Sequence, residues 1–284
     1  MSLALASPKA TLTQHVDAEF AFAGADFERV RKLIYQHAGI SLNPGKQAMV
    51  YSRLSRRLRD TGHKSFAGYL QWLEQLAAQD PEWQAFVNCL TTNLTAFFRE
   101  NHHFTALAED LAERRGKALR IWCNAASTGE EPYSIAMTVA ETLGADAPVT
   151  LLATDIDTQV LATARQGVYD AAARGLSVER LKLHFQRGTG TNAGAMRIKP
   201  ALARMIDFQA FNLMNEHWSF GEAFDLVFCR NVMIYFDAPT QRRVLERMHR
   251  AMRPGGLLYV GHSENFSDSR ALFRLRGKTV YERV

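Results

Sequence analysis

The chain has 284 residues, 47% hydrophobic and 22% charged, with a formal net charge of +5. This composition belongs to a globular protein and excludes disordered, collagen-like and coiled-coil architectures. No uncharged apolar run reaches the roughly 18–20 residues that span a bilayer, and the opening MSLALASPKA lacks the basic start of a secretion signal. A soluble, cytoplasmic chain without membrane insertion is therefore expected, with a monomer as the default. The three cysteines, Cys89, Cys123 and Cys229, form no CxxC pair and no metal-ligand spacing, which suits a reducing compartment. The mild basic excess permits an acidic partner without demanding nucleic acid.

Residues 1–25 read as a loosely ordered arm. Helices alone follow, up to about residue 95. Asp26 can cap a helix whose apolar stripe is Val30, Leu33, Ile34 and Ala38, stopped by Gly39. A second helix follows Pro44-Gly45, with Val50, Leu54 and Leu58 four apart. A third starts at Ser65 (Phe66, Tyr69, Leu70, Leu73) and a fourth near Asp80-Pro81 (Trp83, Phe86, Val87, Leu90). Together they make a small all-α domain over residues 1–95.

Over residues 96–284 strand and helix alternate. A helix through Phe104, Leu107 and Leu111 leads to an apolar run at 119–123. The turn Ser127-Thr128-Gly129 then opens a helix through Ile135, Val139 and Leu143. Further strands are expected at 149–153, 205–208, 224–229 and 257–260, with a helix over 237–252. This spacing predicts an α/β fold with a parallel sheet and right-handed crossovers. The tail, ALFRLRGKTVYERV, reads as a hairpin around Gly277. Residues 167–205 break the alternation. There RGTGTNAG lies between LKLHFQ and AMRIKP, which read as short strands of an inserted antiparallel β subdomain.

In an open parallel sheet, ligands bind beyond the carboxyl ends of the strands. Segments 124–131, 155–157, 211–213 and 229–235 must converge there. The first, NAASTGEE, has one glycine, Gly129, rather than GxGxxG, so a dinucleotide pyrophosphate fits poorly. Its acids, Glu130 and Glu131, repel phosphate and attract a cation, or else only complement the helix dipole. Asp155 follows the second strand and can accept both ribose hydroxyls. It could instead cap the next helix, although Asp157 is better placed for that. A ribose acid beside a phosphate-averse turn points to a nucleoside without phosphates. S-adenosylmethionine is the commonest such cofactor.

The second helix carries Lys46, Arg53, Arg56, Arg57 and Arg59 with no acid between residues 46 and 59. Such a face could dock an acidic partner or simply be solvated opposite Val50, Leu54 and Leu58. His102 and His103 are adjacent, point in different directions and have no evident third ligand, so no metal is expected. His262 and Ser263 are neighbours too, and adjacent residues seldom form a nucleophilic relay.

The strings LTTNLTAFFREN (90–101), AASTGEEPYSIAM (125–137), FCRNVMIYF (228–236) and GHSENFS (261–267) together resemble one family. It is the CheR-type chemotaxis-receptor glutamate O-methyltransferases. The resemblance covers nearly the whole chain, in order and spacing. Ala126 departs from the cysteine that many relatives carry there; alanine is small and leaves the turn intact. The resemblance implies a class I methyltransferase fold with a seven-stranded sheet and a terminal antiparallel hairpin. It also implies S-adenosylmethionine as donor, S-adenosylhomocysteine as product, no metal, and glutamates on chemoreceptor cytoplasmic domains as acceptors.

Carried over by motif, Asn93, Thr95 and Arg99 line the cofactor pocket. Glu131, ahead of Glu130, meets the methionine amino end, and Asp155 holds the ribose. Asn212 and Leu213 lie along the adenine, Arg230 and Asn231 near the methionine part, and Tyr235 close to the transferred methyl. Arg99 and Tyr235 are the catalytic candidates. A surface ion pair of Arg99 with Glu100 or Glu109 is the alternative for the first. Arg53, Arg56, Arg57 and Arg59 would steer glutamate-rich receptor helices. In some relatives the β subdomain binds a receptor's C-terminal peptide, which a short strand edge could accept. An acceptor glutamate, with a pKa near ~4.3, is already a nucleophile at neutral pH, so no general base is required. Two other readings share the fold. One is a nucleic-acid methyltransferase, which the lack of an Asn/Asp-Pro-Pro-aromatic string disfavours. The other is a non-catalytic adaptor, which the retained motif residues disfavour.

Overall fold

A computed structural model describes residues 19–266 and 269–284, so most of the expected N-terminal arm lies outside the described residues. Two units separate: a small one running to Leu90, and a large one from Thr91 to Val284 that also takes in Tyr35–Ser41.

The helices α1 (Gly24–Ala38), α2 (Gln47–Thr61), α3 (Phe66–Gln75) and α4 (Pro81–Leu90) follow from their stripes and caps. Asp26 lies inside the first turn of α1 rather than ahead of it. Its carboxylate reaches back to accept the Ala23 N–H at 2.9 Å, so the helix starts earlier than expected. Ser65 caps α3 by accepting the Gly68 N–H at 3.1 Å. Gly62 ends α2 in the left-handed region, at φ 75°. Val50, Leu54 and Leu58 of α2 and Phe66, Tyr69, Leu70 and Leu73 of α3 are fully buried, as their spacing demands.

The basic face of α2 differs from expectation at Arg57. Its Nε donates to Glu82 Oε1 at 2.7 Å and its Nη2 to Oε2, while the Tyr69 hydroxyl donates to Oε1 at 2.7 Å. The Glu82 side chain is only 5% exposed. A carboxylate buried to that degree requires a paired cation. Arg57 therefore has a structural partner in addition to the docking role expected of it. Arg59 pairs with Glu19 in an exposed contact, Arg56 is exposed and Arg53 is half-buried.

In the large unit the elements are α5 (His102–Glu113), β1 (Leu119–Asn124), α6 (Glu130–Leu143), β2 (Val149–Asp155), α7 (Thr158–Gln166), β3 (Val168–Asp170), α8 (Val178–His184), β4 (Phe185–Arg187), β5 (Ala195–Ile198), α9 (Pro200–Ala203), β6 (Ile206–Ala210), β7 (Phe224–Cys229), α10 (Ala238–Ala251), β8 (Met252–Val260), β9 (Phe273–Gly277) and β10 (Val280–Arg283). Seven strands form one sheet in the order β6-β2-β1-β7-β8-β10-β9. The first five are parallel, and β10 runs antiparallel to both neighbours. A mostly parallel seven-stranded sheet with a terminal antiparallel hairpin is thus present, as expected. Side chains alternate across the sheet. Ile121, Cys123, Leu226 and Phe228 join a core with α5 and α6. Trp122, Val227 and Leu258 join another with Val244, Leu245 and Met248 of α10.

The insertion is a three-stranded antiparallel sheet, β3-β5-β4. Of LKLHFQ, expected as a strand, the first four residues instead finish α8. Ser177 caps that helix, and only Phe185 onward is extended. β8 also starts before the expected residue 257. Met252 pairs with Phe224, then residues 253–256 loop out before Leu257 meets Leu226.

Candidate active site

The segment before α5 and the loops beyond the carboxyl ends of β1 and β7 carry much of the backbone strain among the described residues. Phe98, Glu100, Ala125, Ser127 and Asn231 all have φ between 50° and 58° without being glycine. Such conformations cost about 1–3 kcal/mol each and persist only where surrounding contacts hold them. Those contacts are specific here.

After β1, the fully buried Ala126 donates its N–H to the Thr154 carbonyl at 2.9 Å. Ser127 donates its N–H to Asp155 Oδ2 at 2.8 Å and its hydroxyl to the Asn93 carbonyl at 2.9 Å. Gly129, at φ 101°, has the Tyr169 hydroxyl where a Cβ would come within 2.6 Å, so packing alone demands glycine there. Asp155 is 7% exposed and accepts the backbone N–H of Ser127 on one oxygen and, at 2.9 Å, that of Asp157 on the other. Burial pushes its pKa up to about 6 against those bonds. Asp157 caps α7, and its other oxygen accepts Thr91 Oγ1 at 2.7 Å and Asn93 Nδ2 at 2.8 Å. Asn93 thus frames the turn from both sides.

A second group forms around Arg230, which is 3% exposed. Its guanidinium donates to Glu131 Oε2 and, at 2.6 Å, to the Arg99 carbonyl, and lies 3.3 Å from Glu100 Oε2. Glu131 also accepts from the Cys123 thiol at 3.4 Å, whereas Glu130 turns to the Thr128 hydroxyl at 2.6 Å. Burial would raise the pKa of Glu100. The hydrogen bond from His262 and the Arg230 charge outweigh it and hold the carboxyl at about 2. Two carboxylates against one buried guanidinium leave this cluster net negative, a setting suited to a cationic ligand.

Arg99 donates to the Leu94 carbonyl at 2.9 Å. Among the described residues it forms no ion pair, so the alternative pairing with Glu100 or Glu109 is not formed; Glu100 is held by Arg230 and His262. Thr95 is half-buried in the same segment. Asn212 donates Nδ2 to the His37 carbonyl at 2.6 Å and accepts the Met214 N–H at 2.9 Å, and Leu213 is buried in the α10-side core. Tyr235 is half-buried, and its carbonyl accepts the Ser41 N–H at 2.8 Å. Asn93 and Asp155 therefore share one network, and Arg99, Glu131, Arg230 and Asn231 another. No side-chain hydrogen bond joins Thr95, Asn212, Leu213 or Tyr235 to either among the described residues.

Two expectations need correction. A third ligand type does stand by the paired histidines: ligand atoms of Glu100, His102 and His103 lie within 4.8 Å of one another. The Glu100 oxygens already serve Arg230 and His262, and the buried His103 Nδ1 stands 3.6 Å from Glu100 Oε2 without a hydrogen bond. Adjacency also fails to separate His262 and Ser263. Ser263 Oγ is 3.1 Å from His262 Nε2, and His262 Nδ1 is 3.0 Å from Glu100 Oε1. The contacts of Glu100, Ser127 and Glu264, and those of Asp157 with Thr91 and Asn93, escaped the sequence pattern, because each reaches groups distant along the chain.

The donor set fits a nucleoside with a cationic end. Asp155 keeps unfilled lone pairs on both oxygens for hydroxyl donors, and Glu130 and Glu131 put negative charge at the turn. Residues 93–282 match the family CheR methyltransferase, SAM binding domain, and residues 25–91 match CheR methyltransferase, all-alpha domain. The chain belongs to the CheR methyltransferase family. It is 49% identical over 283 residues to the chemotaxis protein methyltransferase of Escherichia coli strain K12, covering 99% of this chain and 98% of that one. It is 52% identical over 268 residues to chemotaxis protein methyltransferase 2 of Pseudomonas aeruginosa, covering 93% and 94%. This CheR-family protein is accordingly an S-adenosylmethionine-dependent methyltransferase of chemotaxis. No helix among the described residues is long and apolar enough to cross a membrane.

Proposed function

We propose that this CheR-family enzyme transfers the methyl group of S-adenosylmethionine to glutamate side-chain carboxylates of chemoreceptors, giving methyl esters in chemotactic adaptation. One observation carries the choice of a carboxylate acceptor. Arg99 bonds only a carbonyl, so its charge faces no carboxylate of its own chain among the described residues and is left for an acidic acceptor.

When bound, S-adenosylmethionine supplies an electrophilic methyl on a sulfonium. The acceptor carboxylate is ionised at neutral pH and needs positioning, not deprotonation. An oxygen lone pair forms the O–C bond as the C–S pair returns to sulfur. Both charges vanish in the product, so a dry site favours the transfer. Arg99 should engage one carboxylate oxygen only, because a grip on the attacking oxygen would stabilise the ground state. Asp155 takes the ribose hydroxyls, Glu131 the amino end, Asn212 and Leu213 the adenine, and Tyr235 the region of the methyl. Asn93 and Thr95 support the pocket wall, and Arg230 and Asn231 the methionine side. Arg53, Arg56, Arg57 and Arg59 would steer acidic receptor helices, and the edge strands β3 and β4 could accept a receptor's C-terminal peptide.

The test uses methyl-labelled S-adenosylmethionine with receptor-containing membranes and, separately, with nucleic acid. Label on receptor protein that mild alkali releases as volatile methanol is the expected result. Alkali-stable label, or label on nucleic acid, would overturn the glutamate assignment. Cofactor binding without transfer would favour an adaptor.

A further inference from the structure

Glu264, in the GHSEN segment after β8, has no role in the scheme above, yet it is 4% exposed. Its carboxylate accepts three backbone N–H groups: Gly261 at 2.7 Å, Asn231 at 3.0 Å and Met233 at 2.8 Å. Two of these belong to the loop after β7, and the third to the loop after β8. One buried anion thereby ties together the ends of neighbouring parallel strands. Asn231 sits at φ 58°, a strained conformation for a residue with a side chain, and its N–H is one of those that Glu264 holds. The join is also sterically tight. A Cβ on Gly261 would come within 2.5 Å of Asn231 Nδ2 and 3.0 Å of Glu264 Oε2.

We infer that Glu264 is a positioning residue for methyl transfer. It fixes the loop of residues 230–235, from which Arg230 reaches Glu131 and the Arg99 carbonyl and which ends at Tyr235. Glu264 touches neither cofactor nor acceptor in this role and acts through that loop. The inference rests on the methyltransferase reading of the site.

Glu264→Gln is isosteric, but it replaces one acceptor oxygen by an amide that faces N–H donors. Gly261→Ala strains the same join without changing charge. Both variants should lower kcat by about 100-fold, the loss expected of a displaced reacting group. S-adenosylhomocysteine affinity should weaken no more than about tenfold. Hydrogen exchange should speed up at Asn231, Met233 and Gly261 and not in the central strands. A purely structural role would lower the melting temperature and leave kcat per folded molecule unchanged. That result, or unaltered exchange at these amides, would overturn the inference. If the wild-type enzyme transfers no methyl to receptor carboxylates, the acceptor reading fails instead. Exchange at these amides then still decides whether Glu264 fixes the loop, with unaltered exchange overturning the inference.

Discussion

Arg230→Met replaces a buried guanidinium by an apolar side chain and leaves Glu131 and Glu100 without their cation. The fall of the Glu100 pKa from 4.5 to about 2 corresponds to about 3 kcal/mol at ~1.4 kcal/mol per pH unit. That sum is shared between His262 and Arg230, and Glu131 adds the loss of its own pair. Removing one member of a buried ion pair costs about 3–5 kcal/mol in general. A loss of about 3 kcal/mol at pH 7 is therefore expected, a large share of the roughly 5–15 kcal/mol available to a folded protein. The pH dependence has a definite sign. A carboxyl with a depressed folded pKa contributes fully above its unfolded value and loses that contribution as pH falls toward the folded one. The deficit of the variant should thus shrink as pH drops from neutrality below about 4. Urea unfolding of both proteins across that range measures it. A deficit below about 1 kcal/mol at pH 7, or one that grows on acidification, would refute the assignment of Arg230 as the counter-ion of both carboxylates.

Asp155→Asn should weaken S-adenosylhomocysteine binding by about 10–100-fold in calorimetry, the worth of charged hydrogen bonds of roughly 1.5–3 kcal/mol. In the wild type, affinity should fall as pH drops through about 6, where burial places this carboxyl, and the variant should lack that dependence. Unchanged affinity would remove the ribose role. Arg57→Ala should destabilise the small unit by about 3 kcal/mol, since Glu82 would stay buried without its cation. Arg53→Ala with Arg56→Ala should slow receptor methylation while stability and S-adenosylhomocysteine affinity hold. Equal losses in all three measurements would make α2 a structural helix only.

What the sequence discloses here follows from the range of the interaction. The stripe of α2, the Ser65 cap, the parallel strands and the terminal hairpin are written in neighbours two to four residues apart, and all could be read directly. The acids opening α6 after β1, and Asp155 ending β2, could be placed together because the ends of parallel strands converge. The pairing of Arg57 was hidden because Glu82 lies 25 residues away on another helix, where periodicity says nothing. The structural tasks of Glu100 and Glu264 were hidden for the same reason. Each gathers groups from other loops, and no local pattern marks a carboxylate that serves backbone N–H groups. LKLHFQ alternates like a strand, yet the Ser177 cap commits its first part to helix.

Peptide mapping by mass spectrometry bears most directly on the acceptor. A purified chemoreceptor cytoplasmic domain would be incubated with the enzyme and S-adenosylmethionine, digested at mildly acid pH and sequenced by fragmentation. Single methyl additions on glutamate side chains, absent with Arg99→Ala and lost after mild alkali, are expected. Methyl groups found on lysine, arginine or a chain terminus instead would contradict carboxylate methylation, whatever the affinity for the cofactor.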